Sequence, residues 1–136
     1  MSESKFPSPF YRVAAKAIIR NKRGDILLVK ERSDAWSIPG GGLEHGEDLR
    51  AAVQREVQEE LGATAQSVSP RPVFVFSALN KQFNVWCFTV CYEVTLDEEQ
   101  ELTLGDGSTD AKYFGPSEIK RDLVLEDADA PLVDCL

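Results

Sequence analysis

Apolar and polar residues alternate from Tyr11 to Arg20, the period of a half-buried β-strand. Asn21-Lys22-Arg23-Gly24 carries turn chemistry, and Asp25 to Glu31, built around Ile26-Leu27-Leu28-Val29, reads as the hairpin partner of that strand. After Ser33-Asp34-Ala35-Trp36 comes a loop, Pro39 to Gly46, that holds four of the nine glycines. The period then changes. At about 100° per residue, Leu49, Val53, Val57 and Leu61 form one apolar stripe, which predicts a helix from Asp48 to Leu61. Gly62 suits the left-handed position just past its end, and Glu47 and Asp48 suit its positive N-terminus. Beyond it, Arg71 to Leu79 and Gln82 to Leu96 are rich in Val, Phe, Trp and Cys and read as a long hairpin turning at Asn80-Lys81. The acidic, glycine-bearing stretch Asp97 to Asp110 predicts a surface loop, and Ala111 to Phe114 a short strand. Pro116-Ser117-Glu118 opens a helical turn, and Asp127 to Leu136 predicts a short helix that packs Leu132, Val133 and Leu136, with Pro131 near its first turn. Strands on both sides of one long helix imply a layered α/β or α+β domain. It occupies 10–136, behind a loose, polar tail at 1–9 that holds two prolines.

Composition narrows the class. With 136 residues, 43% of them hydrophobic, the chain has the length of one globular domain. It has no apolar run near the roughly 18 residues of a membrane span and no basic-then-apolar N-terminal signal, so the expectation is a cytoplasmic protein with no membrane partner. Cys87, Cys91 and Cys135 are an odd set without CxxC spacing and suit core packing better than zinc or a disulfide. A net charge of −8 argues against an electrostatic grip on nucleic acid or anionic lipid. If the substrate is instead a polyphosphate ester, an acidic protein must screen that charge locally, and divalent cations do this.

Glu56, Glu59 and Glu60 lie within about one helical turn, straight after the glycine loop. Glu56 and Glu60 fall at the edge of the apolar stripe, whereas Ala51, Gln58 and Arg55 take the opposite face, so the glutamates line a groove beside the core. The bland alternative is a solvated acidic face with i,i+4 partners. Hard oxygen ligands gathered in a groove point to Mg²⁺ or Mn²⁺. Clustered glycines let backbone approach a ligand closely and present N–H or C=O groups to it.

The spacing adds what the acidic run alone lacks. From Gly41, five residues precede Glu47 and seven more precede Arg55-Glu56; then follow Val57, Gln58, Glu59-Glu60, Leu61, Gly62 and Ala63. This resembles the signature of the Nudix hydrolase family, Gly-x5-Glu-x7-Arg-Glu-aliphatic-x-Glu-Glu-x-Gly-aliphatic, with every charged and glycine position filled across 23 residues. Ala63 is smaller than the usual aliphatic residue, and Trp36 to Gly42 looks like the family's lead-in.

The resemblance implies an α/β/α sandwich with a mixed sheet between helices. It also implies a metal-dependent hydrolase, like small MutT-type members, of a nucleoside diphosphate linked to another moiety, cleaved at a phosphoanhydride by water attack at phosphorus. By that resemblance Glu59 and Glu60 are metal ligands, Glu56 is a ligand or the general base, and the Gly40 carbonyl is a further ligand. In this family the base comes from this helix in some members and from a later loop in others, so its identity stays open. Glu47 and Arg55 would pair, tying the loop to the helix and orienting the carboxylates, with Gly41 and Gly62 as structural positions. A later acidic residue completes the metal shell in relatives, and Asp106 and Asp110 are the candidates.

Outside the signature, Arg32 is a candidate phosphate contact, and Phe76, Phe83 and Trp86 are candidate base-stacking groups against their alternative as core residues. The one histidine, His45, makes no metal cluster and is read as a loop residue near substrate. The window Leu79-Asn80-Lys81 holds neither the proline of relatives that cleave ADP-ribose nor the tyrosine of those that cleave diadenosine polyphosphates, and the coenzyme A signature is absent. A nucleoside triphosphate, a nucleotide sugar or another nucleoside diphosphate derivative remains, the triphosphate favoured by a chain near the minimal size for the fold. The partner is then a small nucleotide, to a monomer or homodimer. The alternatives are a nucleotide-binding or regulatory module of the same fold without turnover, and an acidic interaction protein.

Overall fold

The computed structural model of the protein describes residues 7–31, 33–105 and 107–136. Strands β1 (Tyr11–Ile19), β2 (Ile26–Lys30), β3 (Trp36–Ser37) and β4 (Gly40–Gly42) precede the long helix α1 (Leu49–Leu61). Strands β5 (Ser67–Val68), β6 (Phe74–Asn80), β7 (Val85–Thr95) and β8 (Asp110–Phe114) follow, then helix α2 (Pro116–Arg121), a 3₁₀ turn at Asp127–Asp129 and helix α3 (Leu132–Cys135). One sheet runs β4-β1-β7-β5, with β6 also paired to β7; a second runs β3-β2-β8. The first is mixed, because β1 and β7 are parallel over the whole of β1, Tyr11 opposite Trp86 and Ile19 opposite Val94.

Two cores flank these sheets. Ala15, Ala17, Ile19, Leu27 and Val29 pack with Val53, Val57 and Leu61 of α1. Ile18, Ile26 and Leu28 pack with Ile119 of α2 and Leu132 of α3. Successive strand residues point to opposite faces, so β1 and β2 each supply both cores, and helices cover both sides. This is the α/β/α layering that the family resemblance implies, and it refines the layered α/β or α+β domain read from the periodicity. The apolar run Ile26 to Val29 is that of a strand buried on both faces, all four residues being at most 1% exposed.

The expected β1–β2 hairpin is not formed as a ladder. The turn exists, with Asn21 Oδ1 accepting from the N–H groups of Arg23 and Asp25, yet the strands meet at a single bridge, Arg20 to Ile26. β2 instead pairs at its two edges with β3 and β8, while the two cores cover its two apolar faces. The later hairpin turns at 81–84 instead of Asn80-Lys81: Asn80 still pairs with Val85, and Asn84 takes the left-handed conformation at φ 51°. The predicted C-terminal helix is divided into the 3₁₀ turn and α3, with Pro131 at the N-terminal boundary of α3. Cys91 is buried in the second core and Cys87 and Cys135 are half-buried, all as free thiols.

Candidate active site

The start of α1 is fixed by Asp48, whose carboxylate accepts from the N–H groups of Arg50 and Ala51. Its end is fixed by Gly62, at φ 61°. Between them Val53, Val57 and Leu61 are fully buried, which locks the rotation of the helix about its axis and sends the glutamates to one edge.

Arg55 organises the outer carboxylates. Its Nε and Nη2 donate to the two oxygens of Glu47 at 2.7 and 3.0 Å. Its Nη1 donates to Glu56 at 3.0 Å and to Glu59 at 3.3 Å. The bidentate partner holds the Glu47 carboxyl below the usual carboxylate range and raises the Arg55 guanidinium further. Nη2 also reaches the Gly42 carbonyl at 3.4 Å, so one side chain ties the glycine loop to the helix.

Glu56 and Glu60 are different. Burial pushes the Glu56 carboxyl up against the opposing pull of Arg55, and Glu59 and Glu47 add to the rise. Glu60, 7% exposed, is pushed up to about 8, chiefly by burial; the Gly40 N–H and Lys16 oppose this, and Glu56 and Glu31 reinforce it. The Gly40 N–H donates to Glu60 Oε2 at 3.2 Å. Gly40 sits at φ +139°, and a Cβ there would lie 2.4 Å from the Ala15 carbonyl oxygen; at Gly41 a Cβ would lie 2.7 Å from Glu56 Oε1. The glycines are thus required by close approach, β4 lying flat against β1 on one side and against the Glu56 carboxylate on the other.

Among the described residues no group of three acidic, histidine or cysteine side chains is arranged to hold a metal ion; Arg55 takes Glu56 and Glu59 while Glu60 takes the Gly40 N–H. The chemistry of the donor set nevertheless fits a hard divalent cation. Glu56 and Glu60 are both partly desolvated carboxylates, and Glu56 raises the proton affinity of Glu60, so a cation beside them relieves both.

The structure brings Gly40, Gly41, Glu47, Arg55, Glu56, Glu59 and Glu60 together. Gly62 closes the far end of α1, where its own Cβ position abuts Thr103, and the Gly105 N–H donates to the Glu60 carbonyl at 3.0 Å. The loop after β7 is therefore clamped onto the C-terminal turn of α1. Asp106, on that loop, and Arg32, after β2, lie outside the described residues. Asp110 begins β8 opposite Lys30 and accepts from the Ala111 N–H. His45 is exposed.

The aromatic candidates separate. Phe76 packs against the second core. Trp86 is 48% exposed and tilts against Tyr11, with ring centroids 6.4 Å apart. It shares a sheet face with Val90 and thus with α1, the face opposite Phe76. Phe83, 70% exposed, lines a cavity of about 220 Å³ together with Lys16, Glu31, Ser37, Asn80 and Asp129.

Lys16, Glu31 and Asp129 were not singled out in the sequence. Lys16 Nζ donates to Asp129 Oδ2 at 2.9 Å, and the same oxygen accepts from the Ile38 N–H at 2.9 Å. Burial pulls the Lys16 ammonium down, but Asp129, with Glu60 and Cys91 adding to it, makes the net displacement upward. A lysine inside the apolar run Ala14 to Ile19 is the signal that pointed here, since a charge in a central strand needs a buried partner. A larger cavity of about 530 Å³, lined by Arg20, Lys22, Gln66, Leu96 and Glu98 among others, holds none of these groups.

The fold and this carboxylate edge define one family. A NUDIX domain matches residues 10–134, and the chain belongs to the Nudix family. It is 33% identical over 81 residues to the 8-oxo-dGTP diphosphatase of Escherichia coli (strain K12), covering 56% of this chain and 63% of that one. It is 37% identical over 59 residues to the RNA pyrophosphohydrolase of Actinobacillus pleuropneumoniae serotype 5b (strain L20), covering 43% of this chain and 29% of that one. In each case the match spans less than two thirds of the relative. Among solved structures, that of the E. coli ORF135 protein superposes with a TM-score of 0.73 at 27% identity, over 92% of this chain and 87% of the other. No helix among the described residues is long and apolar enough to cross a membrane.

Proposed function

We propose that the protein is a Mg²⁺- or Mn²⁺-dependent pyrophosphohydrolase that cleaves a phosphoanhydride in a nucleoside diphosphate derivative, a nucleoside triphosphate first among them. The observation that carries this reading is the Glu56–Glu60 pair, two carboxylates desolvated beside a glycine loop and left with too little positive charge by Arg55 and Lys16. Membership of the Nudix family supports it, as do relatives named for diphosphatase and pyrophosphohydrolase activity.

Glu59, Glu60 and the Gly40 carbonyl would hold the metal, with Glu56 as ligand or base. When bound, the ion supplies charge neutralisation at the nonbridging phosphate oxygens and acidifies water. The chain's own residues do the rest. Arg55 holds Glu56 and Glu59 in register with the loop, and Gly41 leaves the space in which the Glu56 carboxylate lies. In the role of base, Glu56, whose proton affinity burial has raised, would take the proton of the attacking water.

The test is phosphate and nucleotide release, with Mg²⁺ or Mn²⁺, across nucleoside triphosphates, nucleotide sugars, ADP-ribose and dinucleoside polyphosphates, with Glu59→Gln as control. Metal-dependent cleavage that falls at least about a hundredfold in the control supports the assignment. Retained nucleotide binding without cleavage of any compound would replace it with a binding module.

A further inference from the structure

Helix α1 does not cover the whole of the sheet on which it lies. Ala15 and Val90, opposite each other on β1 and β7, are 0% and 6% exposed in the core that α1 completes. Toward the start of both strands the same face carries Val13 opposite Phe88 and Tyr11 opposite Trp86. Strand β6 continues it, with Val75 opposite Val90, Ser77 opposite Phe88 and Leu79 opposite Trp86. Tyr11 and Trp86 are each 48% exposed, Val75 54% and Phe88 39%. The rings of Tyr11 and Trp86 tilt against each other, yet none of these four residues belongs to either buried core.

The size of this face is that of a contact surface. A covered aromatic side chain buries about 150 to 250 Å², so at these exposures the three rings and the two aliphatic neighbours on β6 present on the order of 400 Å². Apolar patches of that size mark interaction sites on soluble proteins.

Charge selects the occupant. Tyr11, Val13, Val75, Ser77, Leu79, Trp86 and Phe88 include no charged side chain, in a chain of net charge −8. The net charge repels nucleic acid and anionic lipid, and the face offers no cation to draw either. A charged peptide finds no counter-charge on it. A flat apolar face without charge is complementary to its own copy, since a two-fold axis sets apolar groups against apolar groups and opposes no like charges. Two such faces remove on the order of 800 Å² from water before the rim is counted, and specific interfaces begin near about 1,000 Å². That is the scale of a reversible dimer, not of an obligate one.

We propose that this face is a homodimer interface, two copies packing sheet against sheet about a two-fold axis with Trp86 and Phe88 at the centre. The contact does not depend on the hydrolase reading. Away from it each copy carries the net charge of −8, so the copies repel at long range. Salt screens that repulsion beyond about 8 Å at 0.15 M and therefore tightens the dimer.

The experiment is sedimentation velocity of the full chain from about 1 to about 300 µM, at low and at high NaCl. The expected result is a shift from monomer to dimer mass with rising protein, at lower concentration in the high salt. Acrylamide quenching of tryptophan fluorescence reports where the copies meet. Trp36 is only 9% exposed, so quenching that falls as the dimer forms is protection of Trp86. Val75→Glu and Phe88→Glu each place a charge in the face, and both proteins should stay monomeric at every concentration with a native circular dichroism spectrum. A wild type that is monomeric throughout overturns the proposal, as does a dimer with Trp86 still quenched or one that persists in the folded variants. Protection of Trp86 in the monomer by a nucleotide or by phosphatidylcholine vesicles overturns it too, and gives the face to a ligand or a lipid surface. Where a variant does not fold, the quenching of the wild type across the same concentrations decides.

Discussion

Arg55 and Glu47 form a two-pronged ion pair, 2.7 Å at Nε and 3.0 Å at Nη2, in which one guanidinium also holds Glu56 and Glu59. The geometry depends on the planar fork. Arg55→Lys keeps the charge but cannot hold Glu47 bidentately while reaching two further carboxylates. The expected outcome is a loss of at least about tenfold in kcat/KM with a native circular dichroism spectrum. Steady-state kinetics of the variant against the nucleotide panel check it, and full activity would show that charge alone suffices at Arg55.

Gly41→Ala tests a contact instead of a charge. The new methyl would stand 2.7 Å from Glu56 Oε1, displacing that carboxylate and leaving Glu59 and Glu60 in place. A misplacement near 1 Å costs up to about a hundredfold in rate. A fall of that order with an unchanged melting temperature is the expected result, and an active variant would remove Glu56 from the reaction.

The acidity of Glu60 gives a sign-determined pH dependence. Its carboxyl is raised from 4.5 to about 8 in the folded protein, so the folded state binds the proton more tightly than the unfolded one. Stability therefore falls as pH rises from about 4.5 toward about 8 and levels off above. Glu60→Gln removes the penalty and still accepts from the Gly40 N–H. With EDTA present, thermal melts should place the variant above the wild type at pH 8.5, by on the order of a few kcal/mol at most, and near it at pH 5. Equal pH profiles for the two proteins would contradict the assignment.

Lys16 is held by a partner with no exposure to solvent. Lys16→Met leaves the Asp129 carboxylate buried with only the Ile38 N–H. Removing one member of a buried pair costs about 3 to 5 kcal/mol. Urea denaturation monitored by tryptophan fluorescence measures this, and a loss below about 1 kcal/mol would mean that water replaces the ammonium.

The helix and its glutamates were legible because both are local. The 3.6-residue stripe sets which way Glu56 and Glu60 face, and the distance from Glu47 to Arg55 is fixed by one loop and two turns of helix. The Lys16–Asp129 pair spans 113 residues, and no local pattern distinguishes Asp129 from its neighbours in Glu-Asp-Ala-Asp. The β1–β2 hairpin was misread for a related reason. Turn chemistry is local, but the strands beside β2 come from 36–37 and, far along the chain, from 110–114, and no local pattern names them. The aromatic residues divided on the same ground, since the alternation of β6 and β7 assigns a face but not how far α1 extends over it.

Because β1 and β2 each divide their side chains between the two cores, neither layer of helices has a sheet of its own. Loosening α1 strips one side of the strands on which Ile119 and Leu132 also rest. The carboxylate edge of α1 and the Lys16–Asp129 pair are thereby held in fixed register by the same strands.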